Sequence, residues 1–315
     1  MSESLAQVAG VDIAKDHLDI HLHPSGAIRR VRNNKAGYNV LIGWLAGQRV
    51  ERIVFEATGP YHRHLERALC AAGLPFAKIN PRQARRFAEA TGRLAKTDRV
   101  DAALLARLGA LLQPEPRTPK SQRLDKLTEL VAARRALVKD RTACRNRAKI
   151  VSIPLLKSQA AQRLRQIEAQ IAALDRLCRE LVASDQILSQ RLAILTSIPG
   201  LGEATAIALL ADMPELGQLE PKQAASLAGL APVARESGTW RGKSFIRGGR
   251  AHVRQALYMP ALVAVRFNEP LKTKYCALTQ AGKPAKVAIT AIMRKLIVLA
   301  NALLRGDRKW SPHLA

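Results

Sequence analysis

Four acidic side chains occupy positions from which they could together bind a metal. Asp12 lies near the end of the first apolar run, and Glu56 ends the run RIVFE. Asp98 and Asp101 are three residues apart at the start of a helical segment, which places both on one helix face. Converging carboxylates repel one another, and a hard divalent cation such as Mg²⁺ removes that cost. Such a site could polarise a phosphodiester and orient the attacking and leaving oxygens.

Each acid also has a structural interpretation. Asp12 fits a strand-end turn, and Glu56 could pair with Arg63. Asp98 and Asp101 suit the first turn of a helix, where acids are favoured by the helix dipole. Residue types and spacing therefore leave a metal site and four unrelated structural acids both open.

A second chemical feature is the segment 235–254, which reads RESGTWRGKSFIRGGRAHVR. Its serine Ser237 precedes Gly238 and lies among six basic residues, namely Arg235, Arg241, Lys243, Arg247, Arg250 and Arg254. A serine hydroxyl can attack a phosphodiester where positive charge stabilises the transition state. A flexible loop that only binds phosphate explains the same composition, and Ser244 is a rival serine. Spacing alone favours the phosphate-binding loop.

The first third of the chain alternates strand and helix signals that would position the acids. Strands are predicted at Gln7–Ile13, Leu18–Leu22, Ile28–Val31, Arg52–Glu56 and Pro75–Ile79. Helices are predicted at Gly37–Ala46, Tyr61–Ala72, after Pro81 and at Thr97–Leu112. The order, βββαβαβα and a further helix, is that of a ribonuclease-H-like core. Parallel strand ends would bring Asp12 and Glu56 close together.

The middle of the chain is helical, and Pro154 separates two stretches. Apolar residues then recur at spacings of three and four, with Asp185 as the one polar member, at Leu164, Ile167, Ile171, Leu174, Cys178, Leu181, Leu188, Leu192 and Leu195. A seam of about four heptads predicts a coiled coil. Self-association is the favoured interpretation, and an amphipathic helix packed on its own domain is the alternative.

The last third is predicted to be mostly helical. SIPGLG at 197–202 followed by the helical Glu203–Ala211 is typical of a helix-hairpin-helix, in which Gly200 and Gly202 would let backbone N–H groups approach a phosphate. Further helices are predicted near Pro221–Leu227, Val253–Val265 and Pro284–Leu304. Composition divides the chain into segments 1–115, 116–192 and 193–315.

Charge indicates a polyanionic partner. The 315 residues include 51 Lys and Arg against 25 Asp and Glu, a formal net charge of +26. Each of the three segments carries 17 basic residues, so the excess is not confined to a tail. A hydrophobic content of 48% permits a folded core, and 4% aromatic residues argue against recognition by base stacking.

Several classes of protein are disfavoured. No signal peptide is expected at the N-terminus, and the best apolar run near the C-terminus is interrupted by Arg294 and Lys295, so no membrane span is expected. Four widely spaced cysteines fit a reducing cytosol and form no zinc motif. No Walker loop, GxGxxG or HExxH motif is present, and no bound organic cofactor is expected. The nearby histidines His17, His21 and His23 are interpreted as exposed strand residues.

The motifs resemble the transposases of the one-hundred-ten family of bacterial insertion sequences, described as bridge-RNA-guided recombinases. The similar stretches are VAGVDIAKDHLDIHL, FEATGPYHRHL, KINPRQARRFAEATGRLAKTDRVDAALLA, SIPGLGEATAIALLA, SLAGLAPVARESGTWRGKSFIRGG and VRQALYMPALVA. They cover both ends of the chain in order and leave only the heptad segment weakly matched. KTDRVDA and the ESG motif with its preceding AP are the most specific.

The resemblance implies a resolvase-like domain whose DEDD set is Asp12, Glu56, Asp98 and Asp101, holding Mg²⁺ with Mn²⁺ as an alternative. It implies a C-terminal transposase domain whose nucleophile is Ser237, and so reverses the preference drawn from spacing. Lys96 and Arg99, beside the acids, are expected to contact nucleic acid together with the glycines and basic residues named above.

The resemblance further implies donor and target DNA as substrates, paired by a structured noncoding guide RNA in the bacterial cytoplasm. It implies a homo-oligomer, a dimer or a tetramer built as a pair of dimers, in which the two domains join across protomers and the coiled coil helps assembly. The alternatives are a structure-selective endonuclease that uses metal-activated water, a non-catalytic packaging protein and an inactive copy of the element.

Overall fold

The computed structural model of the chain describes residues 6–56, 61–92, 98–116, 121–234, 236–242 and 244–312. The chain divides into two compact units, Met1–Lys120 and Ser121–Ala315. The helices of the predicted middle segment, 116–192, belong to the second unit.

The first unit is built on one five-stranded sheet. Its strands are β1 (Gln7–Ile13), β2 (His17–His23), β3 (Ile28–Arg32), β4 (Val50–Glu56) and β5 (Phe76–Ile79). Its helices are α1 (Lys35–Ala46), α2 (Arg63–Ala71), α3 (Pro81–Ala90) and α4 (Asp98–Leu112). The spatial order is β3-β2-β1-β4-β5, with β1 antiparallel to β2 and parallel to β4. The element order predicted for this part of the chain is confirmed.

Side-chain alternation along β1 separates two cores. Ala9, Val11 and Ile13 point into the core that α1 and α2 cover. Val8 lies in the other core, under α3 and α4. The sheet is thus covered by helices on both faces, which is why β1 reads as a nearly continuous apolar run.

Two glycines fix how α4 lies on the sheet. A methyl group on Gly10 would come within 2.1 Å of the Ala102 carbonyl oxygen, so the helix backbone rests directly on β1. Towards the other end of α4, a methyl group on Gly109 would come within 2.8 Å of Val8. β1 and α4 therefore run in opposite directions, and the first turn of α4 lies at the carboxyl end of β1.

We expect Gly10→Ala to destabilise the protein by about 3 kcal/mol or more, because the added methyl group forces α4 off the sheet. The control is Gly43→Ala, in the exposed middle of α1, where an added methyl group meets nothing within 4 Å. This change should stabilise by about 1 kcal/mol through helix propensity. Urea unfolding of both variants measures the difference, and equal midpoints would contradict the close contact at Gly10.

The second unit is mainly helical. Its helices are α5 (Gln122–Ala148), α6 (Pro154–Ala183), α7 (Gln186–Thr196), α8 (Glu203–Asp212), α9 (Pro221–Leu227), α10 (Ala251–Phe267), α11 (Glu269–Gln280) and α12 (Ala285–Arg305). Four two-residue strands, β6 (Pro232–Val233), β7 (Glu236–Ser237), β8 (Trp240–Arg241) and β9 (Phe245–Ile246), form two short ribbons. α12 is long and apolar enough to cross a membrane, but half of its apolar window is buried within the protein. Its Ile292, Leu296 and Ile297 lie in the largest core of the unit.

The heptad residues of α6 pack on α5 of the same chain. Ile167 and Ile171 form a buried cluster with Cys144 of α5, and Cys178 belongs to the core that also contains Val131 of α5. This arrangement matches the alternative prediction, in which an amphipathic helix packs on its own domain, and not the favoured prediction of self-association. Pairing with a second copy through this seam therefore has no support from the packing.

The prediction of one unbroken seam as far as Leu195 is wrong. α6 ends at Ala183 and α7 begins at Gln186, and the Asp185 carboxylate between them accepts a hydrogen bond of 3.1 Å from the Leu188 backbone N–H. An aspartate that caps a new helix is more stable there than one left in the middle of a continuing helix. The polar residue in the seam therefore marks a helix boundary.

Candidate active site

Two of the predicted acids are neighbours across parallel strands. Val11 of β1 is paired with Phe55 of β4, so Asp12 and Glu56 occupy the next position on each strand. Strand alternation places both on the face of the sheet opposite to Val11 and Phe55, which is the face that α4 covers. Both residues are half-buried. The expected approach of these two strand ends is observed.

The first turn of α4 brings the other two acids to the same end of the sheet. Asp98 is the first residue of the helix, and Asp101 is half-buried one turn further on, beside the Ala102 carbonyl that rests on Gly10. The side chain of Asp98 lies outside the described residues, as do Lys96 and the side chain of Arg99. Three elements, β1, β4 and α4, thus converge with an acid from each.

The donor chemistry at this edge suits a hard divalent cation, because carboxylate oxygens are the ligands that Mg²⁺ and Mn²⁺ prefer. Among the residues whose side chains are described, no three His, Cys, Asp or Glu groups are arranged to hold a metal. The side chains of Asp12, Glu56 and Asp101 belong to this described set, and that of Asp98 does not. A four-carboxylate site therefore depends on Asp98.

A further acid beside the cluster escaped sequence reasoning. Asp19 on β2 lies directly opposite Asp12 and is buried. Arg30 donates two hydrogen bonds to the Asp19 carboxylate, from Nε at 2.7 Å and from Nη2 at 2.8 Å, and His17 Nε2 lies 3.4 Å from it. The pair neutralises one negative charge next to the cluster. The sequence feature that could have identified Asp19 is its position in the alternating segment HLDIH, which pairs with the arginine-rich strand β3.

The three histidines of β2 are half-buried, so their interpretation as exposed residues is wrong. His17, His21 and His23 share one face of the strand with Asp19, under the packing of α4. A half-buried imidazole on a covered face is a packing residue, and the sequence does not reveal that α4 covers this face.

Ser237 lies in an exposed hairpin. It is paired with Trp240 of β8, and the two residues between them form the turn. Gly238 has a φ of 57°, in the left-handed region that glycine adopts without strain. Ser237 is exposed to solvent, and no described residue covers it. The rival Ser244 is exposed as well.

The basic residues predicted around Ser237 fall into three groups. Arg235 and Lys243 lie outside the described residues, as does the side chain of Arg241. Arg247 is exposed and remains a candidate for phosphate contact.

Arg250 and Arg254 form a third group, because each donates hydrogen bonds to protein acceptors at the base of the serine segment. Arg250 donates two hydrogen bonds to the Glu215 carboxylate, at 2.7 and 2.8 Å, and one of 2.6 Å to the Asp212 carbonyl. Arg254 donates to the carbonyls of Gly229 and Gly248 at 3.2 and 3.1 Å. These bonds use Nη1 and Nη2 of Arg250 and Nη1 of Arg254, so each guanidinium group has fewer donors left for a phosphate.

The glycines of SIPGLG also differ in role. Gly200 has a φ of 100°, and a methyl group there would come within 2.8 Å of the Pro260 carbonyl oxygen, so its close approach is to α10. Gly202 is exposed at the start of α8 with open space around it. Glu203, which follows it, places a carboxylate in the first helical turn and pairs with Arg179 at 3.4 Å. An acid at that position competes with a phosphate for the helix N-terminus.

The buried carboxylate of Asp212 ties the same region to the helices. Its oxygens contact Arg135 Nη2 of α5 and, at 3.4 Å, His252 Nε2 of α10. Burial raises the pKa of Asp212, but His252 and Arg135 together lower that pKa below its ordinary value. The ionised form is therefore the stable one in the folded protein.

We expect Asp212 to contribute stability that is present above the pKa of an unfolded aspartate, about 3.9, and is lost as pH falls through the lower folded-state pKa. Asp212→Asn should cost about 2 kcal/mol at neutral pH and flatten the acid limb of a plot of melting temperature against pH. The exposed Asp140→Asn should leave that limb unchanged. An unaltered acid limb in Asp212→Asn would contradict the assignment.

Comparison with known proteins places the chain in a family. Residues 9–151 match a DEDD transposase domain of the IS110 type, and residues 192–276 match the transposase domain of the IS116/IS110/IS902 family. The chain belongs to the IS110 family of transposases. It is accordingly a DNA transposase or recombinase, and its DEDD domain supports dependence on a divalent metal in general.

Individual relatives agree with this assignment. The pilin gene-inverting proteins of Moraxella bovis and Moraxella lacunata are each 32% identical over 319 residues, covering 97% of this chain and 98% of theirs. An uncharacterised 43.6 kDa protein of insertion element IS110 from Streptomyces coelicolor is 34% identical over 36% of this chain and 28% of its own length.

A structure of T. thermophilus RuvC in complex with Holliday junction substrate aligns with 36% of this chain and 100% of its own, at 15% identity and a TM-score of 0.28.

Proposed function

We propose that this transposase cuts and rejoins DNA strands through a covalent phosphoserine intermediate, with Ser237 as nucleophile and Mg²⁺ at the acidic edge of the first unit. The observation that carries the proposal is the parallel pairing of β1 with β4, with the first turn of α4 beside the ends of both strands. Acids from three elements therefore lie at one edge of the sheet. The exposed hairpin that presents Ser237 beside a glycine supports the second half.

Asp12, Glu56, Asp98 and Asp101 would hold the metal, with Mn²⁺ as a substitute for Mg²⁺. When bound, a divalent cation supplies charge that stabilises a phosphodiester under attack. The backbone of β1, β4 and α4 brings three of these acids, Asp12, Glu56 and Asp101, to the same end of the sheet. The neighbouring Asp19 is already neutralised by Arg30, so it leaves the ligand role to the others.

The serine step balances as a transesterification. Ser237 Oγ bonds to the scissile phosphorus, the bond from phosphorus to the 3′ oxygen breaks, and the serine proton ends on that 3′ oxygen. After strand exchange, a 3′ hydroxyl attacks the phosphoserine, a new phosphodiester forms, and Ser237 regains its proton. Arg247, together with Arg235, Arg241 and Lys243, would stabilise the negative charge on the phosphate oxygens in each step.

We further propose that a structured noncoding RNA pairs with donor and target DNA and that the active form is a homo-oligomer in the bacterial cytoplasm. The net charge of +26, spread along the whole chain, and the scarcity of aromatic residues suit a protein that binds nucleic-acid backbones while base pairing provides sequence recognition. Two relatives are named for the inversion of a gene, which is consistent with cutting and rejoining DNA.

The test is to trap the covalent intermediate. A DNA duplex is nicked a short distance on the 5′ side of the scissile phosphate, so that the short strand bearing the released 3′ hydroxyl dissociates and cannot reseal the link. This duplex is incubated with the full chain, the guide RNA and Mg²⁺. We expect a protein–DNA adduct that survives denaturation, with mass spectrometry assigning the nucleotide to Ser237. An adduct at Ser244, or cleavage with no adduct, would contradict the proposal.

A further inference from the structure

The connection between α5 and α6 exposes an unusual amount of apolar surface. We call residues 149–157 the hairpin tip. Ile150 is 85% exposed, Leu155 65% and Ile153 56%, and all three lie within six residues of chain. Scattered exposed apolar residues are normal on a protein surface, but three at one protruding turn form a patch that favours a contact.

The chain around this patch is strongly and uniformly basic. Residues 141–165 contain seven basic residues and no acidic one, the seven being Arg141, Arg145, Arg147, Lys149, Lys157, Arg163 and Arg165. All are exposed except Arg141, which is half-buried. Arg145 has a carboxylate partner, Glu168, which lies outside this stretch. The patch therefore lies in a positive field, of which Glu168 neutralises only one charge.

The hairpin is stiff close to its tip. Cys144 of α5 is buried with Ile167 of α6, and its thiol contacts the Ala160 carbonyl oxygen at 3.8 Å. Between Arg141 and Lys149, α5 rises about 12 Å at 1.5 Å per residue, so the cations flank the patch within about one groove width of DNA. Little conformational entropy would be lost when the tip docks.

Charge determines the occupant of the tip. Two copies of the chain meeting tip to tip would bring fourteen like charges together, whereas a polyanion neutralises them. The tip lacks aromatic side chains on which unpaired bases would stack, and aliphatic side chains are the ones that proteins insert between the base steps of duplex DNA.

We propose that the hairpin tip is a DNA wedge, in which Ile150, Ile153 and Leu155 enter a base step of duplex DNA while the flanking cations bind phosphates on both sides. None of these residues belongs to the acidic edge or to the serine segment. Its role would be to unstack or bend the duplex that the protein holds, and it would operate without any bond being broken.

The experiment uses the full chain and a DNA duplex of about 30 base pairs carrying 2-aminopurine, whose fluorescence rises when a base step opens. Wild-type protein should raise the fluorescence at least threefold. The variant Ile150→Ser/Leu155→Ser should lose that rise while its affinity falls less than fivefold. The control Ile187→Ser/Phe267→Ser changes two residues that are each 70% exposed elsewhere in the unit and should behave as wild type.

A second variant tests the cations independently. Lys149→Gln/Lys157→Gln should weaken binding and reduce the slope of log affinity against log salt by about two, since each phosphate contact contributes about 0.9. A fluorescence rise that persists in the tip variant would overturn the proposal. So would a change of oligomeric state with unaltered DNA opening, or opening confined to an RNA duplex of the same sequence. None of these readouts needs strand cleavage, so failure here is distinct from failure of the serine mechanism.

Discussion

Ser237→Ala is expected to abolish strand cleavage and rejoining, with a loss of about 10³-fold or more, because no other hydroxyl at that position can carry the covalent link. DNA binding should change less than threefold. The side chain is exposed in a two-residue hairpin whose turn depends on Gly238, so its removal leaves the loop intact. The measurement is the rate of product formation on end-labelled DNA, with affinity determined in parallel.

Ser244→Ala is the matched control, since Ser244 is an exposed serine of the same segment. We expect its activity to stay within threefold of wild type. Cleavage that survives in Ser237→Ala would favour the alternative of a structure-selective endonuclease, in which metal-activated water attacks and Ser237 only binds phosphate. Loss of activity in both serine variants would instead assign the effect to the loop as a whole.

The sheet of the first unit was predictable because local pattern and burial agree there. β1, covered on both faces, reads as an apolar run, and β2 alternates. The parallel pairing of β1 with β4 then follows from the helix between them, and it places Asp12 beside Glu56. The proximity of these two acids could be predicted because the end of a strand is a local feature of the sequence.

The roles of Arg250 and Arg254 could not be predicted. Their acceptors lie 25 or more residues earlier in the chain, at Asp212, Glu215 and Gly229, apart from the nearer Gly248 carbonyl. A basic glycine-rich stretch has the same composition whether its guanidinium groups face solvent or bind protein carbonyls. Only the tertiary fold distinguishes residues that hold the segment from residues such as Arg247 that face solvent.

One helix was missed outright. α11 buries a single residue, Leu271, so it lacks the apolar periodicity by which helices are recognised. Its signal is at its start, where the Asn268 side-chain Oδ1 accepts a hydrogen bond of 3.3 Å from the Leu271 backbone N–H and Pro270 occupies the first turn. Capping residues therefore carry the information where periodicity does not, as they also do at Asp185.

Asp12→Asn tests the acidic edge without altering its shape, since asparagine has the size of aspartate. We expect strand cleavage to fall about 10³-fold or more, because a ligand and a negative charge are lost from the metal site. The variant should remain folded, which circular dichroism checks in parallel with the cleavage assay. Nucleic-acid binding should persist, whereas a packaging protein would keep every activity.

Asp19→Asn provides the opposite pattern from a residue directly across the strand pair. Its carboxylate is bound by Arg30, so the change should cost about 2 kcal/mol of stability. Because Asp19 is not proposed as a metal ligand, cleavage should persist at temperatures where the variant is folded.

Metal binding can then be measured apart from catalysis. Millimolar Mg²⁺ should raise the melting temperature of wild type and of Asp19→Asn by linkage, but not that of Asp12→Asn. The two aspartates face each other across β1 and β2, so a general electrostatic effect of either charge would alter both variants alike. An Mg²⁺-dependent shift retained in Asp12→Asn would move the metal away from this edge, even if cleavage were lost. A shift lost in Asp12→Asn alone would assign the metal to the side of β1 that faces the first turn of α4.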